Sequence, residues 1–153
     1  RLNGTTTAFI GYAYVETDLI GAPDTREHRI WQQLSFRALG DGKGVTITGR
    51  SRLEQRFMEG SRDMGLRFRQ QIRLTAPLTG KMRLVGWGEA FVALDDTRWG
   101  QRSGFDRLRT FAGAAIPLGK ALSLEPGYMN EYIRLRGENR MNHIASVTVN
   151  AVF

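Results

Sequence analysis

Val45-Thr46-Ile47-Thr48-Gly49-Arg50-Ser51-Arg52-Leu53-Glu54-Gln55-Arg56-Phe57 alternates without a break. Successive side chains of a strand point to opposite faces. Val45, Ile47, Gly49, Ser51, Leu53, Gln55 and Phe57 therefore share one face, and Thr46, Thr48, Arg50, Arg52, Glu54 and Arg56 the other. The next segment repeats the pattern, with Leu66, Phe68, Gln70, Ile72 and Leu74 opposite Arg67, Arg69, Gln71 and Arg73. Upstream, Ile30, Gln32, Leu34 and Phe36 oppose Arg29, Trp31, Gln33, Ser35 and Arg37. In the same phase Arg83, Glu89, Arg107, Arg109, Glu125 and Glu131 fall on polar faces. None of the fifteen charges in these central windows stands on the more apolar face, so something excludes charge from that side.

Further out, glycines recur in turn-like contexts at Asn3-Gly4, Asp41-Gly42-Lys43, Thr79-Gly80-Lys81 and Leu118-Gly119-Lys120, spaced by 38, 38 and 39 residues. Each period holds two alternating segments, which reads as a strand, a longer loop, a returning strand and a tight turn. Eight strands are expected, at 5–16, 27–38, 45–57, 66–77, 82–94, 105–117, 121–133 and 142–153. Long polar connections at 17–26, 58–65, 95–104 and 134–141 alternate with short turns at 39–44, 78–81 and 118–120, and all three lysines lie in the turns. Loops sorted by length to opposite ends are the habit of outer-membrane barrels. The expected fold is an antiparallel up-and-down transmembrane β-barrel, all-β, with residues 1–153 as a single domain and eight strands from this chain. With no cysteine, disulfides, thiolate metal sites and cysteine nucleophiles are excluded. A mean hydropathy of −0.34, with no apolar run near the roughly 18 residues of a spanning helix, excludes a helical membrane protein and leaves a barrel open. No basic-then-apolar leader precedes Arg1, so a secretory signal is expected to have been removed or never present.

A soluble barrel with its apolar face inward would show the same alternation, so other features must choose the solvent. The charged face carries eleven arginines and no lysine, and guanidinium forks build the bidentate carboxylate networks that an enclosed polar interior needs. It also holds Trp31 and Trp87, while Tyr12, Tyr14, Phe57, Tyr132 and Phe153 cap the apolar face where interfacial girdles sit. The last strand, Asn142 to Phe153, sets Ala145, Val147, Val149, Ala151 and Phe153 in alternation up to an aromatic carboxyl end. This resembles the C-terminal signal read by the machinery that inserts bacterial outer-membrane barrels. Val147, Val149, Ala151 and Phe153 are the expected insertion signal, outer-membrane lipid and that machinery the expected partners, and the outer membrane the expected location. Short turns then face the periplasm and long loops the outside.

The segments Glu27-His28-Arg29-Ile30-Trp31-Gln32-Gln33, Arg52-Leu53-Glu54-Gln55-Arg56-Phe57, Glu89-Ala90-Phe91, Gly127-Tyr128-Met129-Asn130 and Asn142-His143 resemble those of the domain of unknown function 2490 family. That family is regarded as one of outer-membrane β-barrels, and where it tends to have an amide–arginine pair this chain has Asp106-Arg107. The resemblance implies fold and location, supplies no activity or catalytic residues, and implies additional sequence before Arg1.

An enzyme would need a nucleophile or metal with a supporting base. The two histidines, His28 and His143, fall on the apolar phase near the loop ends, where a lipid-modifying outer-membrane hydrolase could place them. Ser146 is on the opposite phase from His143, and Ser51 has no evident histidine, so no catalytic residue is assigned and an enzyme is not expected. Neither metal-ligand spacing nor a phosphate-binding glycine loop stands out, so no cofactor is expected. Arginines spread over six strands among glutamates, without a stacking platform or groove helix, do not suggest nucleic acid.

The lumen charges therefore carry the functional expectation. Arg29, Arg37, Arg50, Arg52, Arg56, Arg67, Arg69, Arg73, Arg83, Arg107 and Arg109 face Glu54, Glu89, Glu125 and Glu131, an excess of seven positive charges. They suit a structural barrel braced by salt bridges or a passive anion-favouring pore. The alternatives are a soluble lipocalin-like barrel binding an apolar ligand and the lipid-modifying hydrolase. An eight-stranded barrel has little room for eleven arginines and two tryptophans, so further strands before Arg1, or an envelope protein partner, are expected to widen the wall.

Overall fold

Alternation and glycine turns produce eight strands and, among the described residues, no helix. The structure is a computed structural model; it describes residues 2, 4–19 and 22–152, the side chains of Leu19, Ala22 and Pro23 excepted. The strands are β1 (Thr6–Leu19), β2 (Ala22–Leu39), β3 (Thr46–Met58), β4 (Met64–Thr79), β5 (Met82–Ala93), β6 (Gly104–Pro117), β7 (Leu122–Ile133) and β8 (Arg140–Ala151). Each pairs antiparallel with the next in a single sheet of order β1 to β8. Glycine sets the tight turns: Gly80, at φ +54°, takes the first central position of the two-residue β4–β5 turn, where an L side chain would be strained.

The expected first loop is largely strand. β1 and β2 stay paired from Glu16↔Arg26 through Thr17↔Thr25 to Leu19↔Ala22, and Arg26 Nε donates to Glu16 Oε1 across the pair at 2.8 Å. β3 begins to pair with β2 at Glu27↔Met58, with Glu59 N–H donating to Arg26 O just beyond it at 2.9 Å, so residues 22–25 and their partners project as a two-stranded ribbon. Threonines and opposite charges suit cross-strand pairing, and they outweigh the Gly-Ala-Pro-Asp composition that reads as loop. With this connection shortened, the sorting of loops by length is looser than expected; the longest connection is residues 94–103.

The sheet curls. Arg73 of β4 donates to Glu125 of β7 at 3.0 Å, although those strands lie three spacings apart, about 14 Å along a sheet. Closure is not reached: among the described residues β1 and β8 make no ladder and no contact, leaving a half-barrel with two free edges. Phe153 of the expected insertion signal and the turn residues Arg1 and Asn3 lie outside the described residues.

Burial separates the two faces. On the concave face Glu54 is 1% exposed and Arg67 5%, whereas on the convex face Phe68, Ile72 and Leu74 are 36%, 50% and 39% exposed. Among the described residues nine polar or charged ones are buried against five apolar ones, so the interior is mainly polar. The apolar buried residues, Val85, Phe91, Ala93, Phe111 and Ile133, also belong to the concave face.

Candidate functional site

Register decides which charges meet. Glu54 of β3 lies opposite Arg67 of β4, and Arg67 donates to Glu54 Oε2 through Nε at 2.9 Å and Nη2 at 2.6 Å. Arg69, one inward position along β4, reaches the other carboxylate oxygen at 2.6 Å and bridges onward to Glu89 at 3.0 Å. Arg50 also donates to Glu89, at 2.9 Å. Arg52 stands 3.7 Å from Glu54, gives two hydrogen bonds to Gln33 Oε1 at 2.9 and 2.6 Å, and lies over the Trp31 ring 4.1 Å from its centroid. Gly11 makes room for that ring: a Cβ there would sit 2.1 Å from Trp31 Cζ2.

Smaller nodes flank this centre. Glu27 receives forked hydrogen bonds from Arg29 and Arg56, Glu125 binds Arg73, and Glu131 collects Arg107 at 3.0 Å, Arg109 at 2.7 Å and Asn142 at 2.9 Å. Phe91 sits beneath four guanidiniums, Arg67, Arg69, Arg107 and Arg109, all within 5.6 Å of its centroid, which suits the ring's negative face. Trp87 stacks on Phe111 at 5.4 Å. The Phe111 ring fills the space over Gly113 and Gly127, where a Cβ would come within 2.6 and 2.4 Å of it.

Of the eleven sequence-assigned arginines, nine enter ion pairs. Arg37 and Arg83 stay at the short-turn end. Arg83 donates to the backbone oxygens of Lys43 and Gly44, and Arg37 is exposed near Asp41. All four sequence-assigned glutamates are in the network, joined by two carboxylates assigned no role from sequence. Glu27 shares the parity of Arg29 but stands where the strand was expected to begin, and Asp106 lies in the β5–β6 bulge, 3.7 Å from Arg67. Nine arginines thus share six carboxylates, and the lumen is closer to neutral than the sequence count implies.

The loop-end mouth is partly covered by residues 94–103, a built loop rather than a free one. Asp95 accepts from Leu66 N–H at 3.0 and 3.1 Å, Asp96 from Ser103 N–H at 2.7 Å, and Thr97 Oγ1 from Gln101 N–H at 3.0 Å. Gln101 is 7% exposed; it accepts from Arg56 and donates to Leu66 O, both at 3.0 Å. The Trp99 ring lies 4.9 Å below Arg56 and donates from Nε1 to Asp63 O at 3.2 Å. Gly65 keeps the space clear, since a Cβ there would sit 2.6 Å from Trp99 Cζ2. The Asp-Asp-Thr run ahead of Trp-Gly is the side-chain-to-backbone signal that could have revealed this loop.

On the convex face the expected histidines pair with tyrosines. Tyr12 Oη lies 2.7 Å from His28 Nδ1, His28 Nε2 lies 3.3 Å from Glu59, and Tyr128 Oη meets His143 Nδ1. Among the described residues neither imidazole hydrogen-bonds to a serine. Val147 and Val149, the first two residues of the expected insertion signal, are 67% and 62% exposed on the outer side of β8. No group of three or more His, Asp or Glu side chains suited to a metal ion occurs among the described residues.

Residues 1–142 match the model of a family described as protein of unknown function, DUF2490. An uncharacterized protein of Methylorubrum extorquens is 37% identical over 153 residues, an alignment covering 97% of this chain and 67% of that relative.

Proposed function

Because the chain belongs to the DUF2490 family, whose function is unknown, its role rests on geometry, and we propose that it forms the wall of a bacterial outer-membrane β-barrel. In this reading the arginine-braced lumen is a structural scaffold whose residual positive charge favours anions. One observation carries it: the apolar side chains of the curled sheet point outward and the charged ones inward. Water on the convex face would wet the exposed 36–50% of Phe68, Ile72 and Leu74, whereas hydrocarbon suits them. A soluble lipocalin-like binder needs the reverse arrangement, and a hydrolase needs a nucleophile beside His28 or His143.

Polar groups on the outer face support the same solvent, because they satisfy one another. Gln32 and Gln55 exchange hydrogen bonds at 3.3 and 2.9 Å, and Ser51 donates to Gln70 at 2.6 Å; unpaired, each would be costly in lipid. Tyr12, Tyr14, Phe57 and Tyr132 cluster toward the loop end, as an interfacial belt does. A membrane also tolerates no open strand edge. The edges of β1 and β8 are therefore where further strands, or an envelope protein, complete the wall, and β8 is the strand offered to the insertion machinery.

Fractionation of cells expressing the full natural precursor tests the proposal. The protein should sediment with outer membranes and leave them only in detergent; release as a soluble monomer would overturn it. Reconstitution into a planar bilayer addresses the lumen. Any conductance should favour anions, and Arg50→Gln or Arg69→Gln should weaken that preference.

A further inference from the structure

We propose that the loop-end mouth holds a binding site for a water-soluble phosphate-bearing small molecule. The inference rests on the charge and shape of the mouth, not on membrane location or conduction. A cavity of about 750 Å³ opens there between residues 94–103, residues 134–139 and the upper lumen, within the size range of small-molecule sites. Six arginines line it, Arg56, Arg102, Arg107, Arg134, Arg136 and Arg140, against the single carboxylate Asp106.

The pairing state of these arginines separates the mouth from the lumen beneath it. Arg56 and Arg107 belong to the braced network. Among the described residues Arg102, Arg134, Arg136 and Arg140 hold no carboxylate in an ion pair. Asp96 senses the charge of Arg102 and Arg136, but one of its oxygens is already engaged by Ser103 N–H at 2.7 Å. The interior contributes a second observation: Arg107 Nε is buried without a hydrogen-bond partner, with Asp106 3.6 Å away, beyond hydrogen-bond range. A buried donor left unmade is costly, so Arg107 is incompletely satisfied by the lumen carboxylates although it pairs with Glu131.

Guanidiniums supplied to one cavity by two loops and the lumen wall suit a phosphate group, whose oxygens accept forked hydrogen bonds from arginine. The volume exceeds that of bare phosphate, and Trp99, Phe105 and Leu135 supply an apolar side to the cavity. A phosphate carried on a compact organic body such as a sugar fits both halves.

Titration calorimetry on the folded protein in neutral detergent, with inorganic phosphate, glucose 6-phosphate and glucose as probes, tests this. Saturable binding is expected for both phosphates, tighter for the sugar phosphate, and none for glucose. Arg134→Gln/Arg136→Gln should weaken binding by about tenfold or more, and Arg102→Gln alone should weaken it measurably; both change exposed loop residues, so neither threatens the fold. Arg62→Gln, on a neighbouring loop outside the cavity, should leave affinity unchanged. Equal affinity in wild type and the double variant would overturn the site. So would binding only to detergent micelles doped with phosphatidic acid, which would assign the arginines to a lipid headgroup instead. Failure here leaves the membrane proposal standing, because fractionation reads that separately.

Discussion

Glu54 is the residue on which most of the lumen turns, since one carboxylate holds Arg67 and Arg69 and faces Arg52. Removing one partner of a buried pair leaves the others uncompensated, at a cost of about 3–5 kcal/mol. Glu54→Gln should therefore lower the unfolding free energy in detergent by that order. Glu16→Gln, at the half-exposed pair with Arg26, should change it by less than about 1 kcal/mol, and urea titrations of both variants check the contrast. Two-residue parity was enough to place Glu54, Arg67 and Arg69 on one face. Their partners were less legible. Arg67 meets Glu54 through β3–β4 register, but Arg73 reaches Glu125 only because the sheet curls, and no local pattern encodes that. Glu27 has the right parity, but its strand extends upstream of where alternation is clear.

At the scale of elements, the mouth loop is clamped from the β3–β4 connection. Asp63 takes a forked contact from Arg98, with Nη2 at 2.7 Å, and a backbone N–H at 2.7 Å. The Arg98 guanidinium, followed by that N–H, holds the Asp63 carboxyl well below its ordinary value, at about 2. A carboxyl lowered in the folded state adds stability that is complete above the unfolded aspartate value, near 4, and disappears as pH falls through about 2. Trp99, which donates to Asp63 O, should report this. Its fluorotryptophan NMR signal, assigned with Trp99→Phe, is expected to hold steady from pH 7 to about 4 and to shift only as pH approaches 2. Asp63→Asn should give the loosened signal already at pH 7, and a wild-type transition centred near the ordinary aspartate value would contradict the clamp. The sequence announced this loop as polar and long, which is correct in extent. It concealed the order, because Asp95, Asp96 and Thr97 act through backbone groups whose positions depend on the fold. The β1–β2 ribbon is the converse: its composition is turn-forming, yet cross-strand pairs prevail.

The whole molecule is a polar concave surface and an apolar convex one, open at β1 and β8. Eight strands and both faces were legible because alternation is a local property repeated in every strand. The open edge was legible only indirectly, as eleven arginines and two tryptophans too many for an eight-stranded lumen. A charge placed on the convex face separates the two candidate solvents in energy. Ile72→Lys should cost about 2–4 kcal/mol near the middle of a bilayer, against roughly 0.5 kcal/mol or less at a water-facing site, and the yield of membrane-assembled protein under heat reads the difference. The absence of cysteine permits the most direct test, because a single introduced thiol is then the only one in the chain. Ile72→Cys and Gln71→Cys, each spin-labelled in reconstituted bilayers, place one probe on either face of β4. The label at 72 should be relaxed by oxygen dissolved in the lipid and shielded from a water-soluble nickel chelate, while the label at 71 should show little of that lipid signature. Relaxation of the label at 72 by the nickel chelate, with none of the lipid preference for oxygen, would contradict an outer face turned toward lipid.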